Sequence, residues 1–136
     1  MFIYEHKIRV RYAETDKMGY VYYGNYATFY EVARTEMLRS TGISYKDLED
    51  QGIMLPVIDL SSQFHKPAHY DDLITVKTYI REKPTVRIRF DYEVYHENGD
   101  LLNTGATQLV FVEMARNRPC KPPHFFIERM AKYFDE

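Results

Sequence analysis

One stretch of this chain carries most of the residue types that chemistry needs: Asp16-Lys17-Met18-Gly19-Tyr20-Val21-Tyr22-Tyr23-Gly24-Asn25-Tyr26. It sets a carboxylate in a loop, a glycine that permits a tight turn, and a second glycine just before a predicted helix start. The first turn of a helix presents unpaired N–H groups and a partial positive charge. Such donors can hold a developing oxyanion, and Gly24, lacking a side chain, leaves the backbone open to a ligand. A carboxylate beside an oxyanion site is a workable arrangement for acyl transfer or hydrolysis. The same residues also have a structural reading. An Asp in a polar loop is a common turn former or cap, and Tyr22, Tyr23 and Tyr26 are common core or interface aromatics.

The elements that must position this stretch follow from periodicity. Residues 7–12 alternate, with Ile8, Val10 and Tyr12 against Lys7, Arg9 and Arg11, which predicts a half-buried strand. From Asn25 the period becomes helical: Tyr26, Phe29, Tyr30, Ala33 and Met37 form one apolar face. Asn25 is the expected N-cap, and Gly42 the expected stop. Ser44 opens a short second helix ending near Gly52. The rest reads mostly as sheet. Pro56 points to an edge, a strand start or a bulge. Ile74, Val76 and Ile80 mark one strand, and Val86, Ile88, Phe90, Tyr92 and Val94 the next. Asn98-Gly99 predicts a two-residue hairpin turn into a strand over 101–113, and residues 124–134 a terminal amphipathic helix. One long helix and one antiparallel sheet must bury their apolar faces together. The expected fold is therefore α+β, with the sheet curled around the helix. Open sheet edges favour pairing with a second copy.

Composition excludes several classes. A chain of 136 residues suits one domain, 1–136, without disulfide staples. The charges, 18 Lys and Arg against 20 Asp and Glu, give no global case for nucleic acid or a membrane surface. No signal-peptide-like or bilayer-spanning run is visible, so membrane insertion is not expected and the cytoplasm is the expected location. The five histidines show no metal spacing. All are read as surface or packing residues, with His65 and His69 the hardest to dismiss. Cys120, the sole cysteine, has no basic partner local in sequence, although nearby cations would favour its thiolate. Five of the 13 tyrosines fall between Tyr20 and Tyr30, which predicts an aromatic wall at the site or at a dimer seam.

The segment Tyr12-Ala13-Glu14-Thr15-Asp16 through Tyr26, continuing into Phe29-Tyr30-Glu31-Val32-Ala33-Arg34, resembles the signature of the 4-hydroxybenzoyl-CoA thioesterase family: D-x-x-G-x-V-x-(H or Y)-x-x-Y, then F-x-E-x-A-R. Pro67-Ala68-His69-Tyr70-Asp71-Asp72 matches where that family enters its next strand. The resemblance implies a hotdog fold, a curved antiparallel sheet wrapped around one long helix. It also implies a homodimer, often doubled into a homotetramer, with active sites fed by both subunits. The implied activity is hydrolysis of an acyl-CoA to free acid and CoA without a cofactor. Asp16 matches the family's catalytic carboxylate, as general base or nucleophile. The backbone N–H groups near Tyr23 and Gly24 match its oxyanion donors, and Tyr22 and Asn25 its substrate contacts. Tyr23 stands where the Tol–Pal-associated branch carries His and the 4-hydroxybenzoyl-CoA branch carries Tyr, and it places more weight on Asp16. The helix, with Ala33-Arg34-Thr35-Glu36-Met37-Leu38, leans toward the Tol–Pal branch.

CoA needs cations for its phosphates, and two stretches offer them. Lys83, Thr85 and Arg87 surround a predicted strand–strand turn; Arg118 and Lys121 follow the last strand. Exposed Lys and Arg in loops are also ordinary surface residues. Glu31 and Arg34 are read as structural, pairing on the helix or bracing the Asp16 loop. Two other functions stay open. One is hydrolysis of thioesters on an acidic acyl carrier protein. The other is a non-catalytic hotdog protein that binds acyl-CoA.

Overall fold

The computed structural model describes residues 1–134; Asp135 and Glu136, the end of the expected single domain, lie outside the described residues. In chain order the elements are β1 (Phe2–Arg9), a 3-10 turn (Tyr12–Glu14), α1 (Asn25–Arg39), α2 (Tyr45–Asp50), β2 (Ile53–Met54), β3 (Val57–Phe64), β4 (Leu73–Ile80), β5 (Arg87–His96), β6 (Leu101–Val110), β7 (Val112–Glu113), β8 (Arg118–Pro119) and α3 (His124–Phe134). Five strands form one antiparallel sheet in the order β1-β4-β5-β6-β3. The short strands β2, β7 and β8 form a second sheet that the alternation pattern did not predict.

The helical stripe is buried as the periodicity requires: Tyr26, Phe29, Tyr30, Ala33 and Met37 all join the core. On β5, Ile88, Phe90, Tyr92 and Val94 face inward while Arg87 and Arg89 are exposed. This half-buried alternation lays the sheet on α1. The end of α1 is a Schellman motif. Gly42, at φ +85°, donates its N–H to the Arg39 carbonyl (2.9 Å), and Ile43 donates to Leu38 (3.1 Å). Ser44 caps α2 by accepting from the Asp47 N–H (3.1 Å).

Three local expectations change. The first strand covers Phe2–Arg9 rather than 7–12, because Phe2 also packs inward and stacks on Tyr133 of α3; Tyr12 instead enters the 3-10 turn. The β5–β6 connection is not a two-residue turn. Gly99 donates to His96 (2.9 Å), His96 donates to Asp100 (2.9 Å), and only Gly99 of the Asn-Gly pair has positive φ, +95°. That is a three-residue hairpin, with the register shift falling beside Tyr95. Finally, Asn25 does not cap α1. Gly24 takes the cap position with helical angles and no side chain to offer.

Strand β3 is an outer edge of the main sheet, and Pro56 precedes it. It carries a register shift between Val57 and Asp59 and leaves Val57, Ile58, Leu60 and Phe64 exposed.

Candidate active site

Glu14 organises the loop that follows β1. Its buried carboxylate accepts from the Arg11 N–H (2.7 Å) and the Arg11 guanidinium (3.1 Å). Its carbonyl accepts from the Tyr22 N–H (2.9 Å) and from Asn25 Nδ2 (2.8 Å). The Asn25 amide therefore ties the helix start to the loop. Nothing in the sequence pattern marked Glu14 for this role, because the work is done by its backbone oxygen.

Asp16 stands in a tight turn closed by Gly19 at φ +80°. Its Oδ1 accepts from the N–H groups of Met18 (2.9 Å) and Tyr20 (3.2 Å), and its own N–H donates to the Tyr20 carbonyl (2.8 Å). This is the Asx-turn role expected of a loop Asp. It uses one carboxylate oxygen only: among the described residues Oδ2 has no hydrogen-bond partner. The N–H groups of Tyr23 and Gly24 likewise meet no acceptor among the described residues, whereas those of Tyr22 and Asn25 are bonded to the Glu14 and Tyr22 carbonyls. Two free donors thus lie at the positive end of α1.

Asp16, Tyr20, Tyr23, Tyr26, Phe64 and Lys66 line a cavity of about 290 Å³. Its walls are aromatic. Phe64, from the end of β3, meets Tyr26 edge-on (5.4 Å between centroids) and Tyr23 (6.5 Å), and Tyr22 tilts against Tyr23 (4.6 Å). Burial, then Tyr30 and Asp72, push the Tyr26 hydroxyl up to about 12, so it stays neutral. At Gly24 the space a Cβ would fill is already taken by the Tyr22 ring, 2.8 Å away. Tyr22, rather than a ligand, covers that side of the backbone. Phe64 and Lys66 belong to the cavity without having been legible in sequence, since strand pairing brings them there; His65, singled out earlier, and Pro67, which opens the second matched stretch, also line it.

The basic residues lie elsewhere in the chain. Phe64 pairs with Asn103, and Asn103 with Val94; Arg87, seven residues back along β5, pairs with Val110. At about 3.3 Å per residue the two rows are about 23 Å apart. The two basic stretches do meet one another. Phe111 donates its N–H to the Val86 carbonyl (2.9 Å) and accepts from the Cys120 N–H (2.8 Å). Lys83, Thr85, Arg87, Arg118 and Lys121 thereby share one end of the sheet, all exposed, and the four cations have no carboxylate within 4.0 Å among the described residues. One chain does not bring them to Asp16.

Arg34 does not pair with Glu31. It is buried, donates to the Tyr45 hydroxyl (3.3 Å) and faces Tyr92. Burial lowers its pKa, but the Tyr92 and Tyr45 hydroxyls more than offset this. Burial, followed by Glu113, pushes the Cys120 thiol up, so the neighbouring cations do not activate it. Among the described residues there is no metal-binding cluster and no helix long and apolar enough to cross a membrane.

The sequence pattern of the thioesterase superfamily matches residues 18–103. The chain is 34% identical over 119 residues to the Bacillus subtilis protein named "Putative acyl-CoA thioesterase YneP", covering 88% of this chain and 86% of that protein. It is 31% identical over 112 residues to the acyl-CoA thioester hydrolase YbgC of Escherichia coli O157:H7, covering 82% and 84%. Its structure superposes on a DHNA-CoA thioesterase from Staphylococcus aureus with a TM-score of 0.89 and 38% identity, covering 98% of this chain and 89% of that one.

Proposed function

Since the chain belongs to the thioesterase superfamily, we propose that it is an acyl-CoA thioester hydrolase of hotdog fold in which Asp16 is the catalytic carboxylate. The observation that carries this reading is the division of labour at Asp16. Oδ1 is anchored by two backbone N–H groups while Oδ2 is free, Asp16 shares an aromatic cavity with Tyr23, and the Tyr23 and Gly24 N–H groups at the helix start are unpaired.

The thioester carbonyl oxygen accepts from the Tyr23 and Gly24 N–H groups, which stabilise the oxyanion as it forms. As general base, Asp16 takes a proton from water while the water oxygen attacks the carbonyl carbon. Collapse breaks the C–S bond, and the proton leaves with the CoA thiolate. As nucleophile, Asp16 itself attacks and expels the thiolate, and water then hydrolyses the mixed anhydride. Tyr23 supplies no imidazole, and His65, which also lines the cavity, has its Nε2 hydrogen-bonded to Thr104 Oγ1 (3.0 Å), so in this reading either route runs through Asp16.

The working unit in this reading is a homodimer joined along β3, able to double into a tetramer. Edge strands with exposed Val57, Ile58, Leu60 and Phe64 invite such pairing. A two-fold axis running through that edge sets the strands antiparallel, so the Val57 end of one β3 meets the Phe64 end of the other. The basic end of the second copy is then carried toward the Asp16 cavity, which removes the separation of about 23 Å within a chain. Those cations suit CoA phosphates. Faster turnover of one acyl group on an acyl carrier protein than on CoA would instead favour the carrier. Acyl-CoA is an intracellular metabolite, and a cytoplasmic site of action follows from that substrate.

The aromatic walls favour a planar acyl group over a long alkyl chain. Hydrolysis of acetyl-, octanoyl-, palmitoyl- and benzoyl-CoA tests both levels: benzoyl-CoA turns over fastest, and the Asp16→Asn chain loses at least about 100-fold in kcat while keeping its fold and assembly. Unchanged turnover in that variant would remove Asp16 from the mechanism.

A further inference from the structure

The Asp16 loop is held by the loop over residues 65–72 that precedes β4, and that loop is clasped by one carboxylate. Val21 donates its N–H to the Ala68 carbonyl (2.8 Å), and Tyr20 bridges His69 in a single antiparallel pair. The Tyr20 and His69 rings also meet edge-on at 5.3 Å. Tyr20 is in turn bonded to Asp16 in both directions, through the Asp16 N–H and through Oδ1.

The other end of this chain of contacts is Asp72. Its Oδ2 accepts from the His69 N–H (2.8 Å), and its Oδ1 lies 3.3 Å from His96 Nε2 at the end of β5. The roles of the two imidazole nitrogens are fixed by their surroundings. Nδ1 receives the Asn98 N–H (3.1 Å) and must be the acceptor, so the ring hydrogen is on Nε2, the nitrogen that lies in polar contact with Asp72. Backbone bonds fasten the same loop to the end of β1: Val10 donates to Asp72 (2.9 Å) and Asp71 to Val10 (3.0 Å).

We infer that Asp72, together with His96, is a positioning residue for Asp16: it clasps the β5 terminus to the His69 loop, and through His69 and Tyr20 it fixes the turn on which the carboxylate stands. This rests on the proposed role of Asp16. Both side chains are partly exposed, 21% for Asp72 and 23% for His96. A pair so placed contributes little to global stability, while small displacements of a reacting group cost much in rate. The clasp therefore acts on turnover more than on folding.

The test is steady-state kinetics and thermal melting of the full chain, using whichever acyl-CoA of the four-member panel turns over fastest. His96→Leu removes the polar contact with Asp72, and kcat is expected to fall about 10- to 100-fold, with KM and the melting temperature nearly unchanged. His96→Gln, whose amide N–H can reach Asp72, is expected to recover most of that loss. Asp72→Asn is close to isosteric. Its single oxygen can serve His69 or His96 but not both, so it is expected to lower kcat in the same way. If His96→Leu does not fold, Asp72→Asn decides alone. Unchanged kcat in Asp72→Asn, or a loss in His96→Leu that tracks a fallen melting temperature and is not recovered by His96→Gln, overturns the inference. Asp16→Asn run alongside keeps the two readings apart: full activity there defeats the catalytic role of Asp16, whereas a dead Asp16→Asn with normal clasp variants defeats the clasp alone.

Discussion

Tyr30 of α1 and Tyr92 of β5 stack with ring centroids 4.2 Å apart and planes 7° from parallel. The stack sets the Tyr30 hydroxyl into a closed ring of hydrogen bonds. Tyr30 donates to Asn103 Oδ1, Asn103 Nδ2 donates to Ser62 Oγ (2.8 Å), and the Ser62 hydroxyl is left to donate back to Tyr30 (2.8 Å). Helix, edge strand and inner strand are thus joined at one buried point.

Gly105 makes room for this ring. A Cβ there would lie 2.8 Å from the Ser61 carbonyl oxygen and would overlap the Tyr30 hydroxyl. Gly105→Ala is expected to destabilise the fold by about 1–3 kcal/mol through overpacking. Tyr30→Phe keeps the stack but leaves Asn103 Oδ1 without its donor, with a loss also of about 1–3 kcal/mol. Urea unfolding of each variant checks both.

Shared active sites predict complementation between two inactive chains. In a mixed dimer of Asp16→Asn with an Arg87→Glu, Arg118→Glu chain, one site carries both defects and the other carries neither. Random mixing should restore about a quarter of wild-type activity, because about half the dimers are mixed and each has one intact site. Refolding the two variants together and measuring CoA release tests this; activity no higher than the sum of the parents would place each complete site within one chain.

Alkaline pH should unfold the protein through its buried phenols. Burial pushes Tyr92 up to about 12, with Tyr26 at the same level, above the ordinary tyrosine value of about 10. Between those values the unfolded chain has lost protons that the folded chain retains, so stability falls as pH rises. The stabilising contribution is complete below about pH 10 and is lost as pH approaches 12, on the order of 2–3 kcal/mol for Tyr92. Denaturant unfolding from pH 9 to 12 should show the decline, and Tyr92→Phe should flatten it.

The parts legible in sequence were those governed by local period. The stripe from Tyr26 to Met37 and the alternation from Ile88 to Val94 each report one buried face, and the Ser44 cap needed only its own neighbours. The turn at Asp16 and the unpaired N–H groups of Tyr23 and Gly24 were open to a sequence reading because loop, glycine and helix start adjoin in the chain. Phe64 and Lys66 reach the cavity through β3–β6 pairing, and the two basic stretches meet through Phe111, so no window of sequence contains either relationship. The Asn98-Gly99 signal placed the hairpin correctly, but its length was decided by the register shift at Tyr95.

The hydrogen-bonded ring around Tyr30 also limits how the cavity can change. Tyr26 lies one helical turn before Tyr30 and forms part of the cavity wall. With Tyr30 pinned to Ser62 and Asn103, α1 cannot slide or roll without breaking both of its bonds to the strands at once, so the helix side of the wall behaves as a fixed plate. Reshaping the cavity for a different acyl group falls instead to the strand side and the loop, at Phe64, Lys66 and Met18, where a substitution leaves the bonds among Tyr30, Ser62 and Asn103 intact.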